Sequence, residues 1–187
     1  MKNPFIESER LYFRPLDFND LNGNYVNWLN DEDVSKGNSH RIMPYTLDLA
    51  KSYIENAYVS TDKLILAIVL KENDIHIGNI SLQSINYLHQ NAEFAILLGE
   101  KKYWGKGYSK EASYLLVKFG FQTLNLNRIF CGTFSENMPM IKLAEYLGMK
   151  KEGLRRNAFY KNGKFIDIVE FGLLKQEFFA KFQNEGK

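Results

Sequence analysis

The sequence predicts an α+β fold, with a mixed, mostly antiparallel central sheet and flanking helices. Short apolar runs with a period of two predict strands, and runs with apolar residues three and four apart predict helices. Asn162-Gly163 separates two apolar runs, which is the strongest short signal for an antiparallel hairpin. The predicted order is strand, helices, three-strand meander, helix, strand, helix and hairpin. This order lacks the regular strand–helix alternation of a parallel sheet.

The chain begins with a predicted strand and two helices. Alternation over residues 9–15 predicts the strand. Asp17 and Asn19 are capping residue types ahead of a helix with an apolar face of Leu21, Tyr25, Trp28 and Leu29. Thr46 caps a second helix, whose inward positions are Ala50, Ile54 and Ala57. Residues 34–44 between these helices are polar and irregular, and predict a loop.

Three strands and the C-terminal elements follow. The meander strands cover residues 63–71, 75–85 and 92–98, and Gly78 predicts a bulge or a close backbone approach. The later elements are a helix at 109–121, a strand at 127–134, a helix from Asn137 to Gly148, and hairpin strands at 154–160 and 165–174.

Composition limits the classes of function. The chain has 187 residues, 45% hydrophobic and 25% charged, which predicts one domain over residues 1–187. A net charge of +2, from 24 basic and 22 acidic residues, gives no sign of nucleic-acid binding. One cysteine, Cys131, and three scattered histidines predict neither disulfides nor a metal site. The charged N-terminus and the lack of a long apolar run predict no signal peptide, no membrane partner and a cytoplasmic location.

A glycine-rich segment at residues 99–109 leads directly into a predicted helix. Gly105 and Gly107 allow the backbone to approach a ligand closely, and the free N–H groups of the helix start attract anions. Lysines at 102, 106 and 110 add positive charge; the alternative is a capped turn with solvated lysines. The spacing fits neither a Walker loop nor a dinucleotide fingerprint.

Lys102-x-x-Gly105-x-Gly107 resembles the [Arg/Gln]-x-x-Gly-x-[Gly/Ala] signature of the GNAT superfamily of N-acetyltransferases. Other stretches resemble its ribosomal-protein and nucleotide-sugar branches, in the same order: Glu9-Arg10-Leu11-x-x-Arg14-Pro15-Leu16, Trp28-Leu29-Asn30-Asp31, Tyr103 to Tyr108, Leu147-Gly148-Met149, Glu152-Gly153 and Asn162-Gly163-Lys164. The resemblance covers a core of about residues 9–177.

The resemblance implies that acetyl-CoA lies between two splayed central strands, residues 92–98 and 127–134. It assigns cofactor contacts to Ile96, Leu97, Leu98, Lys102, Trp104, Gly105, Lys106, Gly107, Tyr108, Ser109, Asn137 and Lys142. The first three would bind the pantetheine arm, and the amides of residues 104–109 would hold the diphosphate. Asn137 is alternatively a plain helix cap, and Lys142 an exposed helical lysine.

Acetyl transfer to a protonated amine requires a base, donors for the oxyanion and an acid for the leaving thiolate. Glu93, the one charge in an apolar strand, is the predicted base; alternatively it lies on an exposed polar face. His89 and His76 are secondary candidates. The family's usual acid positions hold Met140 and Ala144, so Tyr146 is the remaining candidate acid, and unassisted departure of the thiolate stays open.

The resemblance assigns acceptor specificity to residues 28–45, 87–91 and 155–165. The last of these segments is basic and aromatic, with Arg155, Arg156, Phe159, Tyr160, Lys161 and Lys164. A basic rim favours an anionic small-molecule amine, and the predicted acceptor is a nucleotide-linked amino sugar. The alternatives are the α-amine of a ribosomal protein and a non-catalytic acyl-CoA-binding module. Exposed edge strands make a homodimer a further prediction.

Overall fold

A computed structural model describes residues 4–183 of the chain. Within these residues the strands are β1 (Ile6–Glu7), β2 (Leu11–Pro15), β3 (Leu64–Leu70), β4 (His76–Asn86), β5 (Asn91–Leu98), β6 (Arg128–Phe134), β7 (Lys150–Lys161) and β8 (Lys164–Leu174). The α-helices are α1 (Tyr25–Asn30), α2 (Glu32–Ser35), α3 (Leu47–Val59), α4 (Tyr108–Gln122), α5 (Met138–Leu147) and α6 (Lys175–Gln183).

The eight described strands form one sheet in the order β1-β2-β3-β4-β5-β6-β8-β7. Every neighbouring pair in this order is antiparallel except β5 and β6, which run parallel. The prediction of an α+β fold with a mixed, mostly antiparallel sheet and flanking helices is confirmed. A β-bulge lies beside Gly78, whose backbone closely approaches Leu97, as the glycine predicted.

The sheet carries apolar side chains on both faces, as strand alternation requires. On one face β2–β6 and β8 pack against α4, α5 and α6 through residues such as Phe94, Leu116 and Leu147. On the other face β2 and β3 pack against α1 and α3. The helices over the second face leave the region beside β5 and β6 uncovered, and the candidate site lies there.

Several elements differ from the sequence prediction, among them α2, which was not predicted. The helix expected after Asp17 is divided into a 3₁₀ turn at Phe18–Asn22 and α1, because the Asp17 and Asp20 carboxylates cap the turn. The short strand β1 was not predicted. Neither was α6, which buries Phe178 against Phe121 and Tyr114. No helix in the described range is long and apolar enough to cross a bilayer.

A buried ionic network fixes the start of β4 to the 3₁₀ turn. The Asp20 carboxylate accepts hydrogen bonds from Arg14 Nη2 at 2.6 Å and Nη1 at 2.9 Å, and lies 3.0 Å from His76 Nδ1. Its side chain is 3% exposed. Burial alone would raise the pKa of Asp20, but the bonds from Arg14 and His76 hold it well below its usual range. The ring of His76 also packs on Trp28 of α1, so this network places α1 on the sheet.

We predict that Asp20→Asn lowers the free energy of unfolding at pH 7 by about 2–4 kcal/mol, because it leaves the half-buried Arg14 guanidinium without its buried counter-charge. The pKa of Asp20 is lower in the folded state than in the unfolded chain. Its stabilising contribution is therefore complete above about pH 4 and is lost as the pH falls below that value. Urea denaturation at pH 7 and pH 3 measures both effects.

The matched control is Asp48→Asn, since Asp48 is exposed and its ion pair with Lys51 spans 3.6 Å. Such a surface pair contributes less than about 1 kcal/mol. Equal stability losses in the two variants, or a loss in Asp20→Asn that does not shrink at pH 3, would contradict the prediction.

Candidate active site

The central strands β5 and β6 separate after a short pairing. In the described part of the chain they pair at Asn91–Arg128, Ala92–Ile129 and Glu93–Phe130 only. Beyond Glu93, β5 continues along β4 as far as Leu98, while β6 continues along β8 as far as Phe134. The predicted splay of the two central strands is therefore present. It leaves the facing backbone edges without a strand partner in the middle of the sheet.

A cavity of about 420 Å³ spans this gap on the α1–α3 face. Glu93, Ala95, Ile96 and Leu97 contribute to it from β5, and residues 132–134 contribute from β6. Thus the predicted base and two of the three predicted pantetheine-binding residues line one cavity. Glu93 is half-buried, and within residues 4–183 no side chain donates a hydrogen bond to its carboxylate. The carboxylate is uncommitted, as a base requires.

A polar row on β4 runs beside Glu93. Asn79, Ser81 and Gln83 alternate along the strand, face the cavity and pair with Leu97, Ala95 and Glu93 of β5. Gln83 donates a hydrogen bond to the Ser81 hydroxyl at 2.9 Å. A buried strand face with three amide or hydroxyl groups is unusual unless it is hydrogen-bonded. Asn79 Oδ1 also lies 2.9 Å from His76 Nε2, so this row lines the cavity with polar groups that are already held in position by neighbouring side chains.

Tyrosines from three elements form one wall: Tyr25 of α1, Tyr45 of the α2–α3 loop, and Tyr53 of α3. Burial raises the pKa of all three, and the phenols of Tyr45 and Tyr53 add to the effect on Tyr25. They consequently remain neutral at pH 7. Desolvation, then the charge of Lys161, lowers the pKa of His40, another lining residue. Sequence reasoning missed this cluster because its members come from separate elements.

Arg155 brings a positive charge to the opposite wall. Its guanidinium lies over Gly132 of β6, where a Cβ atom would be 3.6 Å from Nη2, and Nε is 2.8 Å from Glu170. A bulge in β7 between Arg155 and Phe159 includes Asn157, whose φ is +51°. Such bulges redirect side chains, and this one places both Arg155 and Phe159 in the cavity lining.

The glycine-rich loop precedes α4, as predicted. Gly105 and Gly107 adopt left-handed conformations, with φ of +74° and +82°, which glycine adopts without strain. Gly107 is the N-cap of α4 and offers no side chain to the first turn. Among residues 4–183, the N–H groups of residues 105–110 donate to no other group. The loop thus presents a set of free amides to solvent, as an anion site requires.

The other residues predicted to contact the cofactor lie in this loop or on α5. Trp104 donates its indole N–H to the Leu98 carbonyl at 2.7 Å, so the loop itself occupies one backbone acceptor of β5. The ammonium groups of Lys102 and Lys106 lie 5.0 and 5.3 Å from the centroid of the Tyr103 ring. Ser109 is half-buried in the first turn. Lys142 is exposed on α5.

Asn137 has two structural roles. Its side-chain oxygen accepts from Met140 N–H at 3.3 Å, which is the helix cap that the sequence left open as an alternative. Its amide nitrogen donates to the Gly37 carbonyl at 2.9 Å and to Thr133 at 3.1 Å. Lys161 donates to the carbonyls of Ser35 and Asn38 at 2.6 Å each. These two side chains hold the turn of residues 35–38 at the cavity mouth.

Three candidate catalytic residues lie away from the cavity. Tyr146 packs on Phe182 of α6, under the ammonium of Lys110, because it is two positions beyond the buried Ala144 and faces another side of α5. The structure therefore does not bring Tyr146 together with Glu93. His76 belongs to the Asp20 network, and His89 is exposed in the β4–β5 turn.

Cys131 is also unsuited to chemistry. It is 2% exposed, and burial, with the charge of Glu93, raises the pKa of its thiol to about 12. Within the described range, no group of three or more histidine, cysteine, aspartate or glutamate side chains is arranged to hold a metal ion.

The comparison with protein families matches the Acetyltransferase (GNAT) domain to residues 10–150. The chain belongs to the GNAT family of acetyltransferases. It is accordingly an acetyl-CoA-dependent N-acetyltransferase, and its α+β sheet with parted central strands is the GNAT fold.

Relatives match between about three fifths and nine tenths of the chain. An uncharacterized N-acetyltransferase, p20 of Bacillus licheniformis, is 34% identical over 176 residues, which are 91% of this chain and 96% of the relative. The Escherichia coli K12 spermidine N(1)-acetyltransferase is 29% identical over 110 residues, 59% of each chain. A Vibrio cholerae spermidine N-acetyltransferase, solved with CoA and spermine, superposes with a TM-score of 0.81 at 24% identity, covering 91% of this chain and 99% of its own.

We predict that Gly105→Ala weakens coenzyme A binding about tenfold, because a Cβ atom would enter the open space in front of the loop amides and strain a left-handed residue. Gly163→Ala is the matched control: its φ is +82°, and a Cβ atom there also meets nothing within 4 Å. Both variants should lose about 1 kcal/mol of stability. Calorimetric titration that shows equal affinities in the two variants would contradict the loop's predicted role.

Proposed function

We propose that this enzyme transfers the acetyl group of acetyl-CoA to the primary amine of a nucleotide-linked amino sugar. The observation that supports this acceptor is the cavity lining, in which neutral tyrosines and Arg155 face a row of amides and a hydroxyl around one carboxylate. Aromatic faces and directional polar groups suit a sugar ring, and a guanidinium suits the phosphates attached to it.

The charges of the cavity oppose a polyamine acceptor. Glu93 is the one carboxylate among its described lining residues, and the cation Arg155 lines the same cavity. Several acidic side chains on the surrounding elements are already paired with cations: Asp31 and Asp33 with Lys101, Glu136 with Lys164, and Glu170 with Arg155. Among the described lining residues, a ligand with three or four ammonium groups would find one free counter-charge, Glu93. Spermidine acetyltransferases among the relatives make polyamines the principal alternative to test.

The reaction requires few protein groups. Glu93 takes a proton from the acceptor ammonium, directly or through water, and the free amine attacks the acetyl carbonyl carbon. A backbone N–H on the unpaired edge of β5 donates to the resulting oxyanion. When the tetrahedral intermediate collapses, the C–S bond breaks, and the extra proton on the attacking nitrogen passes through water to the departing thiolate. A thiol pKa near 8.5 makes this departure feasible without Tyr146.

We predict that Glu93→Gln lowers kcat by about 10²–10³-fold, because general base catalysis contributes on that scale. Coenzyme A affinity should remain within about twofold of the wild type, since the substitution leaves the loop and the strand backbone intact. Thiol release measured with a panel of amines gives kcat, and calorimetry gives the affinity.

Glu136→Gln is the control for charge removal, because Glu136 is exposed and pairs with Lys164 outside the cavity. Turnover in Glu93→Gln equal to that of this control would remove Glu93 from the mechanism.

The acceptor class is tested by comparing a nucleotide-linked amino sugar, the free amino sugar, spermidine and a peptide with a free α-amine. We predict the highest kcat/KM for the first. Arg155→Gln should raise the KM for the nucleotide-linked amino sugar about tenfold. The KM for the free amino sugar should change little, because that sugar has no phosphate to bind.

Lys151→Gln removes an exposed cation from the same strand and serves as the control. A higher kcat/KM for spermidine or for the peptide, in the wild-type protein, would refute the nucleotide-sugar assignment and identify the alternative.

A further inference from the structure

Arg10, in the N-terminal hairpin of β1 and β2, contacts the glycine-rich loop. Its Nε and Nη2 lie 2.6 and 2.5 Å from Glu111 Oε2, and its Nη1 donates to the Lys106 carbonyl at 3.1 Å. The guanidinium also lies 4.5 Å from the centroid of the Tyr108 ring. Arg10 therefore contacts Lys106 of the loop and two residues of the first turn of α4, Tyr108 and Glu111.

The bond to Lys106 fixes the direction of an amide. In a planar trans peptide the C=O and the N–H of the next residue point to opposite sides. Because the Lys106 carbonyl points at Arg10, the N–H of Gly107 points away from Arg10. This N–H is one of the free amides described above, and its orientation would otherwise depend on two glycines with wide conformational freedom.

The ion pair with Arg10 neutralises the negative charge of Glu111. Glu111 lies in the first turn of α4, where a carboxylate repels a bound diphosphate. Besides Arg10, Ser8 donates its hydroxyl to the same carboxylate at 2.6 Å. Paired in this way, Glu111 turns toward the hairpin and its charge is cancelled by the guanidinium.

We propose that Arg10 is a positioning residue for the diphosphate of coenzyme A: it orients the loop amides and neutralises Glu111. This inference rests on the proposed role of the loop in binding acetyl-CoA. It goes further by assigning a function to an N-terminal residue outside the loop and the cavity.

The experiment compares two ligands, coenzyme A by calorimetry and pantetheine, which lacks the diphosphate, by ligand-observed NMR. Arg10→Gln should weaken coenzyme A binding about tenfold and leave pantetheine binding within about twofold. The double variant Arg10→Gln/Glu111→Gln should recover about threefold of the loss, because the uncompensated carboxylate is gone. Arg10→Lys keeps the positive charge but lacks the planar guanidinium with its several N–H donors. This variant should bind coenzyme A with an intermediate affinity.

Lys71→Gln is the matched control. The substitution removes the 2.8 Å ion pair between Lys71 and Glu7 of the same hairpin, which lies apart from the loop. The variant should bind both ligands as the wild type does. A merely structural role for Arg10 would weaken both ligands equally and would not be rescued by the change at Glu111; that result overturns the inference. Failure of the wild-type protein to bind coenzyme A would instead overturn the role of the loop itself.

Discussion

The separation of β5 and β6 after three residue pairs is the constraint on which the site depends. A sheet normally pairs its interior strands along their full length, because an unpaired buried N–H or C=O is costly. Here β4 and β8 hold the two strands rigidly on their outer sides, so the gap cannot close by a local shift. The open edges are therefore available for an extended substrate arm that completes the hydrogen bonding of the sheet.

The glycine-rich loop is supported from two sides, although its own sequence is flexible. On the side of the cavity, Trp28 packs on Gly99 and donates its indole N–H to the Glu100 carboxylate. On the same side, Lys101 forms ion pairs with Asp31 and Asp33. On the other side is Arg10. These anchors come from α1, α2 and the N-terminal hairpin, so the elements that frame the candidate cavity also hold the start of the glycine-rich loop. Preorganisation of this kind reduces the entropy lost on binding.

Local patterns predicted most of the fold. Thr46 caps α3, Gly148 ends α5 with φ of +86°, and Asn162-Gly163 forms the final turn, because each of these signals acts within a few residues. Motif order also predicted the loop and the parted strands. Contacts between distant segments were not predictable: the bonds of Asn137 to Gly37, of Arg10 to Lys106 and of His76 to Asp20 depend on tertiary packing. The position of Tyr146 depends on α6, which the sequence did not predict.

The charge of the cavity depends on which basic side chains of the final hairpin are already paired, and not on how many basic residues that hairpin contains. The final hairpin is basic in sequence, but Lys161 is bound to two backbone carbonyls and Lys164 to Glu136. Their charges thus hold the turn at residues 35–38 and the start of α5, and Arg155 is the cation of this hairpin that lines the cavity. Because Glu170 meets Arg155 from one side only, a phosphate oxygen can approach the free N–H groups of its guanidinium. Under the proposed function, one guanidinium and one free carboxylate lining the same cavity would favour an acceptor with one amine and an attached anion over one with several ammonium groups.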